Sequence, residues 1–180
     1  AHAERSAFQR ADDTGGCMLI RHATMNDLEE IAEVERLCFP VSEAATPEEF
    51  RERLAVYADC FLLLFDDDRL VSFIDGMVTD EADLRDEMYA DASLHRPDGR
   101  WQMIFGLNTL PEHRRRGYAA LLVRTFAENA RRQGRLGVVL TCKEGLVAYY
   151  ASLGFKDEGM SSSTHGDVAW HQMRLTFRPE

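Results

Sequence analysis

The stretch from Leu107 to Leu122 constrains this chain more than any other. An apolar run, Met103 to Leu107, reads as the end of a β-strand, and Pro111, Glu112 and His113 read as a turn. Arg114, Arg115, Arg116, Gly117, Tyr118 and Ala119 then open a helix. Its apolar face falls at Ala119, Leu122, Val123, Phe126 and Ala130, the i, i+3, i+4 spacing of a half-buried helix. A strand, a short basic turn and a helix start together make an anion site. The first helical N–H groups have no partner within the helix, and the macrodipole adds positive potential there. Phosphate is the usual guest. Gly117 has no Cβ, so backbone and ligand can approach closely. The stretch lacks the G-x-x-x-x-G-K-[ST] of a P-loop and the G-x-G-x-x-G of a dinucleotide site. Taken alone, the hexapeptide also reads as a solvated basic helix start.

The rest of the chain supplies the context. Cys17 to His22 reads as a short strand. Thr24 to Asp27 resembles a capping box ahead of a helix with Leu28, Ile31, Val34 and Cys38 inward. Thr46, Pro47 and Glu49 start a second helix, whose inward face is Phe50, Leu54 and Tyr57. Cys60 to Phe65 is a continuous apolar run, a strand buried on both faces, and Asp66 to Arg69 turns it into an antiparallel partner, Leu70 to Val78. Asp80 to Ser93 reads as an acidic helix-like segment, and Trp101 to Leu110 as the strand into the basic loop. After the long helix, Gly134 reads as a stop, Gly137 to Cys142 as a buried strand of parallel type, and Leu146 to Leu153 as a short helix. Phe155 to Gly159 and Val168 to Phe177 are the last strands. The order β-α-α-β-β-(α)-β-α-β-α-β-β implies a mixed α/β sheet.

Length allows one domain: residues 17–180, with a polar extension over residues 1–16 and Met18 as a candidate first residue of the fold. Of the 180 residues, 45% are hydrophobic, and the net charge is −10. That charge argues against nonspecific nucleic-acid binding and favours small cationic partners. Cys17, Cys38, Cys60 and Cys142 show no C-x-x-C spacing, so a reduced, cytoplasmic chain without a metal site is expected. No apolar run approaches the roughly 20 residues of a membrane span.

Arg114-x-x-Gly117-x-Ala119, with Pro111 and Glu112 before it, resembles the acetyl-CoA pyrophosphate loop of the GNAT N-acetyltransferases, [RQ]-x-x-G-x-[GA]. Ala148 to Phe155, with Tyr149, Tyr150, Gly154 and Phe155, is similar to the same superfamily's Y/F-Y-x-x-x-G-F motif. Finding both, with a strand between them, makes the pair far more specific than either. Leu140 to Tyr150, Phe73 to Gly76, Ser93 to His95, and Phe39-Pro40 with Glu43 to Ala45 are similar to stretches of the arylalkylamine (serotonin) N-acetyltransferases and their bacterial and fungal relatives. The resemblance covers Met18 to Phe177. It implies a GNAT fold: a mixed, mostly antiparallel twisted sheet of six to seven strands with helices on both faces. In one respect this chain departs from the animal enzyme, whose two strand histidines are replaced by Met103 and Phe105.

The resemblance further implies acetyl-CoA as cofactor, held by Leu107, Asn108, Thr109, Arg114, Arg115, Arg116, Gly117, Tyr118 and Ala119, with Cys142 beside it as a small buried residue. The implied activity is transfer of acetyl to a primary amine, arylalkylamine-like or polyamine-like. Tyr150 is the candidate acid for the leaving thiolate, with Tyr149 turned into the core. His165, Glu43 and His95 are candidate bases or water-relay members, and His171 could face the core. Phe39, Pro40, Glu43, Trp101 and Phe105 are candidate acceptor-binding residues. Asp80, Glu81, Asp83, Asp86 and Glu87 could attract a cation or form a solvated face. A non-catalytic acyl-CoA sensor and an acetyltransferase of protein lysines or N-termini are the alternatives, and a homodimer is open.

Overall fold

The computed structural model describes residues 8–11 and 17–178. Among them the chain runs β1 (Phe8–Ala11), β2 (Cys17–His22), α1 (Leu28–Cys38), α2 (Pro47–Tyr57), β3 (Phe61–Asp66), β4 (Arg69–Asp75), β5 (Val78–Thr79), α3 (Asp86–Ala90), β6 (Trp101–Ile104), β7 (Gly106–Thr109), α4 (Tyr118–Arg132), β8 (Gly137–Cys142), α5 (Val147–Ser152), β9 (Lys156–Met160) and β10 (His171–Thr176). The extension expected over residues 1–16 lies outside the described residues except for β1, whose backbone pairs antiparallel with β2.

Local chemistry sets the element starts. Thr24 N–H donates to Asp27 Oδ2 at 2.8 Å ahead of α1. Glu49 N–H donates to the Thr46 hydroxyl at 3.1 Å, capping α2 with Pro47 in its first turn. Phe50, Leu54 and Tyr57 face the core as their spacing predicts, and Arg53 is buried among them. Asp67 and Asp68 take φ of 46° and 68°, the left-handed pair that a two-residue hairpin demands. The acidic helix-like segment is shorter than its pattern suggests: α3 has five residues, followed by a single 3-10 turn, Ala92–Leu94. Leu84 N–H is taken by Gln172 Oε1 at 3.1 Å, which draws the chain ahead of α3 toward β10 and out of helical bonding.

The strands form two five-stranded sheets, ordered β1-β2-β3-β4-β7 and β5-β6-β8-β10-β9. They meet along one ladder. β4 pairs antiparallel with β7 and β5 with β6, and between them Phe105 N–H bonds Asp75 O at 2.7 Å and Met103 N–H bonds Met77 O at 2.8 Å. Both chain passes therefore change sheet at the same level. Gly76 makes this possible, because a Cβ there would stand 1.8 Å from Met103 O. Buried Gln102 donates its amide to the Gly76 and Met103 carbonyls, each at 2.9 Å.

Gly76→Ala is expected to cost about 3 kcal/mol in urea unfolding, the upper end of overpacking penalties. Gly145→Ala, where an added Cβ meets nothing within 4 Å, should stay within about 0.5 kcal/mol.

Candidate active site

β6 lies parallel to β8, and their pairing ends at Ile104 opposite Leu140. Past that point β7 follows β4 into the other sheet, while β8 runs on to Cys142 beside His171 of β10. A wedge opens between them. A cavity of about 280 Å³ occupies it, with Phe105 to Leu107 on one side and Leu140 to Cys142 on the other. Tyr150 of α5 closes the β8 side. The residue is 7% exposed, and its ring packs edge-on to Phe155 at 5.9 Å. Burial pushes the Tyr150 phenol well above its ordinary value, so it stays protonated. Burial likewise pushes the Cys142 thiol up to about 11, keeping it neutral.

Two loops roof the cavity. Glu43 is buried and pairs with Lys143 Nζ at 2.7 Å, while its backbone carbonyl accepts a hydrogen bond from His165 Nε2 at 3.0 Å. A carbonyl only accepts, so Nε2 carries a proton. The His165 ring stacks on Tyr89 at 5.0 Å, and Trp170 Nε1 donates to the His165 carbonyl at 2.7 Å. Asp86 accepts from Thr164 N–H at 3.0 Å and from the Ser163 hydroxyl, fixing the second loop.

The floor is charged. Arg53 bonds Asp75 Oδ2 at 3.0 Å and donates to Tyr89 O at 2.8 Å, with its guanidinium 5.0 Å from the Phe105 ring centre. Glu35 of α1 accepts from Ala45 N–H at 2.8 Å through Oε2, whereas Oε1 has only the Asn108 side chain near it, without the alignment of a full hydrogen bond. Burial pushes the Glu35 carboxyl up to about 7, and the nearby Asp75 charge adds to that; Ala45 N–H, Arg53 and Asn108 pull the other way. A Cβ on Gly106 would lie 3.1 Å from Asp75 Oδ1 and 3.6 Å from Glu35 Oε1, so the absent side chain leaves these carboxylates room.

At the other end of the wedge, Gly117 is the N-cap of α4, with φ of 80° that no side chain need oppose and no side-chain cap on the turn. Arg115 shares the left-handed region at φ 66°. Arg114 Nε donates to Thr109 O at 3.1 Å, and Arg116 lies 3.5 Å from Asp66. The loop is exposed, with its arginines at the helix start.

The profile of the acetyltransferase (GNAT) family matches residues 28–155, from the start of α1 through Phe155. This chain belongs to that family. It is 28% identical over 162 residues to serotonin N-acetyltransferase of Mesocricetus auratus, an overlap of 88% of this chain and 77% of that protein. In structure it is similar to the loading GNATL domain of CurA from Lyngbya majuscula, with TM-score 0.78 and 17% identity over 88% of this chain and 97% of that one. The GphF GNAT-like decarboxylase in complex with isobutyryl-CoA gives TM-score 0.77 and 22% identity over 88% and 99%. At such identities these two speak for the fold. The family and the named relative make this enzyme an acetyl-CoA-dependent N-acetyltransferase.

Several residues singled out in the acetyltransferase's sequence meet at the cavity: Phe39, Pro40, Glu43, Phe105, Tyr150 and His165. Others lie elsewhere. Trp101 opens β6 opposite Gly137 under the Arg174 guanidinium at 4.6 Å. It is four residues, about 13 Å of strand, upstream of Phe105. Trp170 takes the cavity-wall position instead. His95 is buried against Tyr57, its Nδ1 accepting from Val78 N–H at 3.0 Å, so it is a neutral structural residue. His171 pairs with Asp157 at 3.2 Å on β10, away from the cavity wall. Tyr149 is 37% exposed, not in the core, because adjacent residues on a helix face different ways. Each carboxylate of the acidic segment is occupied: Glu81 and Glu87 by Arg85, Asp80 by Arg100, Asp83 by Arg174, Asp86 by the roof loop and Asp91 by Ser93. Among the described residues no helix is long and apolar enough to cross a membrane, and no His, Cys, Asp and Glu cluster is arranged for a metal ion.

Glu35, Arg53 and Asp75 escaped the sequence reading. The signal was present: Glu35 lies four residues after Ile31, and Arg53 three after Phe50, so both charges sit on apolar helix faces. Arg53→Met should cost about 3–5 kcal/mol in urea unfolding, since it strands Asp75 in the interior. Adding Asp75→Leu should recover most of the loss. Arg36→Met, at the exposed pair with Glu33, should cost about 1 kcal/mol or less.

Proposed function

We propose that this enzyme acetylates the nitrogen of a small primary amine, arylalkylamine-like or polyamine-like, bound in the wedge cavity. The observation that carries the reading is the cavity itself, where aromatic walls and buried carboxylates converge between Leu107 and Tyr150. Phe39, Phe105, Tyr89 and Trp170 suit an apolar or aromatic body, and carboxylates suit an ammonium end. The two roof loops meet at His165 and Glu43, which favours a small acceptor over a polypeptide.

In this reading the pantetheine arm of acetyl-CoA enters between β7 and β8. The pyrophosphate lies at the N-terminus of α4, with Arg114, Arg115, Arg116, Gly117, Tyr118 and Ala119 around it. Asn108 and Thr109 continue the β7 wall, and Cys142 the β8 wall. The amine attacks the thioester carbonyl, and Leu107 N–H stabilises the charge growing on oxygen; one such donor is worth roughly 3 kcal/mol in comparable acyl transfers. As the C–S bond breaks, Tyr150 gives its proton to sulfur. Burial keeps the proton on the phenol and also makes it a weaker acid, so the transfer depends on the charge that builds on sulfur as the bond breaks.

A panel of primary amines with acetyl-CoA, read as free thiol released, tests the reaction. Tyr150→Phe should lower kcat about 10²–10⁴-fold with little change in acetyl-CoA affinity, whereas Tyr149→Phe costs little. The loss should shrink with an acyl donor whose thiol is more acidic. Near-normal turnover in Tyr150→Phe would remove it as the acid.

The loop assignment has its own test. Arg114→Glu with Arg116→Glu should weaken CoA binding about tenfold to hundredfold by calorimetry, the loss of one charge-assisted contact or two. Binding of pantetheine, which lacks the pyrophosphate, should change little. Equal loss for both ligands places the pyrophosphate elsewhere.

A further inference from the structure

An acceptor amine is an ammonium ion in water and must shed a proton before it can attack. The charged groups facing the cavity can be taken in turn. Arg53, from α2, is committed to Asp75 of β4 and to Tyr89 O. Lys143 is committed to Glu43, and His165 donates its Nε2 proton to the Glu43 carbonyl. Glu49 accepts from Thr46 N–H as the cap of α2. The Cys38 thiol is pushed up by burial and stays neutral. Glu35 remains. It is 5% exposed, lines the cavity, and has one oxygen fixed by Ala45 N–H, while the other has only the Asn108 side chain near it, too poorly aligned to form a full hydrogen bond. A buried acceptor left unpaired costs free energy, and in a ligand cavity it marks where a donor belongs.

We propose that Glu35 binds the acceptor's ammonium group through Oε1, takes one proton from it, and is thereby the catalytic base of the transfer. This rests on the amine-transfer reading above. The ammonium passes a proton to the carboxylate, leaving a neutral amine and a protonated Glu35. The nitrogen lone pair forms the C–N bond, and the C–S bond breaks with its electron pair on sulfur. The nitrogen's second surplus proton balances the one Tyr150 gives to sulfur, and Glu35 returns its own to water. The sum is ammonium plus acetyl-CoA giving amide, CoA thiol and one proton.

Position and titration agree. A base works best with a pKa near the working pH, and burial holds the Glu35 carboxyl near 7. Arg53 tempers this without quenching it, because Asp75 cancels most of its charge at short range. Gly106 adds no side chain between the carboxylate and the wedge.

The test compares the full-length protein with Glu35→Gln and His165→Ala, using 2-phenylethylamine and its far less basic β,β-difluoro analogue as acceptors. For the wild type with 2-phenylethylamine, kcat/KM should rise with pH through a limb near 7. Glu35→Gln should lower kcat/KM about 10²-fold and move the limb up to the amine's own pKa, because neutral amine must then come from solution. With the difluoro analogue, already largely neutral, the loss should nearly vanish; a merely structural role would lower both acceptors alike. An unmoved limb in Glu35→Gln, equal losses for the two acceptors, or a limb abolished by His165→Ala alone would each overturn the proposal. A wild-type protein that releases no thiol with any amine would instead overturn the transfer reading. Glu35 is then judged by carboxyl ¹³C NMR of glutamate-labelled protein: a shift on adding 2-phenylethylamine, missing in Glu35→Gln, keeps the ammonium site, and no shift removes it.

Discussion

Two passes of the chain change sheet at one level, and the site depends on that crossing. β4 gives way to β5 at Gly76 and Met77, and β6 gives way to β7 at Phe105, with the backbone bonds from Phe105 to Asp75 and from Met103 to Met77 holding the passes together. A strand cannot bond β4 on one side and follow β8 on the other when the two sheets diverge. Pairing with β8 therefore stops at Ile104, and the wedge is what remains. Gly106, Thr141 and Cys142 give its strand edges backbone and short side chains, between the aromatic rings that form the rest of the wall. The same crossing brings Asp75 under the cavity, since it is the last residue of β4 before the switch.

Buried charge gives the cavity its polarity. Arg53 and Asp75 neutralise each other in the interior, where an uncompensated ion would be expensive. Glu43 and Lys143 form a second pair at the roof. Against these two balanced pairs, Glu35 stands as the carboxylate that burial keeps near its titration point. The roof and the floor are linked, because Ala45, on the loop that follows Glu43, donates to Glu35. A ligand at Glu35 would thus touch the segment that covers it. The acidic run after β5, which sequence suggests as a lure for cations, supports that roof through Asp86 and ties β10 through Asp83.

Much of this was legible in one dimension. The capping residues Thr24 and Thr46, the apolar face of α4, the Asp67-Asp68 hairpin and the buried strand at Gly137 to Cys142 follow from local chemistry and periodicity, and they form where expected. The basic turn ahead of α4 is legible for the same reason: the pyrophosphate role proposed for it resides in consecutive backbone groups. The tyrosine pair was legible as a motif, but not which ring would be buried. That depended on Phe155 and the wedge lying on one side of a helix of two turns or fewer.

The sequence by itself determined the element order, the helix starts and the anion-loop pattern, because each depends on neighbours within a few residues. Only the tertiary structure decided what lines the cavity. Glu35, Arg53, Tyr89 and Trp170 come from four separate segments, with Asp75 buried behind Arg53 on a fifth, and their spacing carries no period linking them. Trp101 and Trp170 look interchangeable in the chain, yet one begins a strand far from the wedge and the other lies at its wall. A carboxylate's proton affinity follows from the water it has lost and the charges packed against it. Both are set by long-range folding, so the chain shows Glu35 only as a charge on an apolar helix face until α1, α2, β4 and β7 close around it.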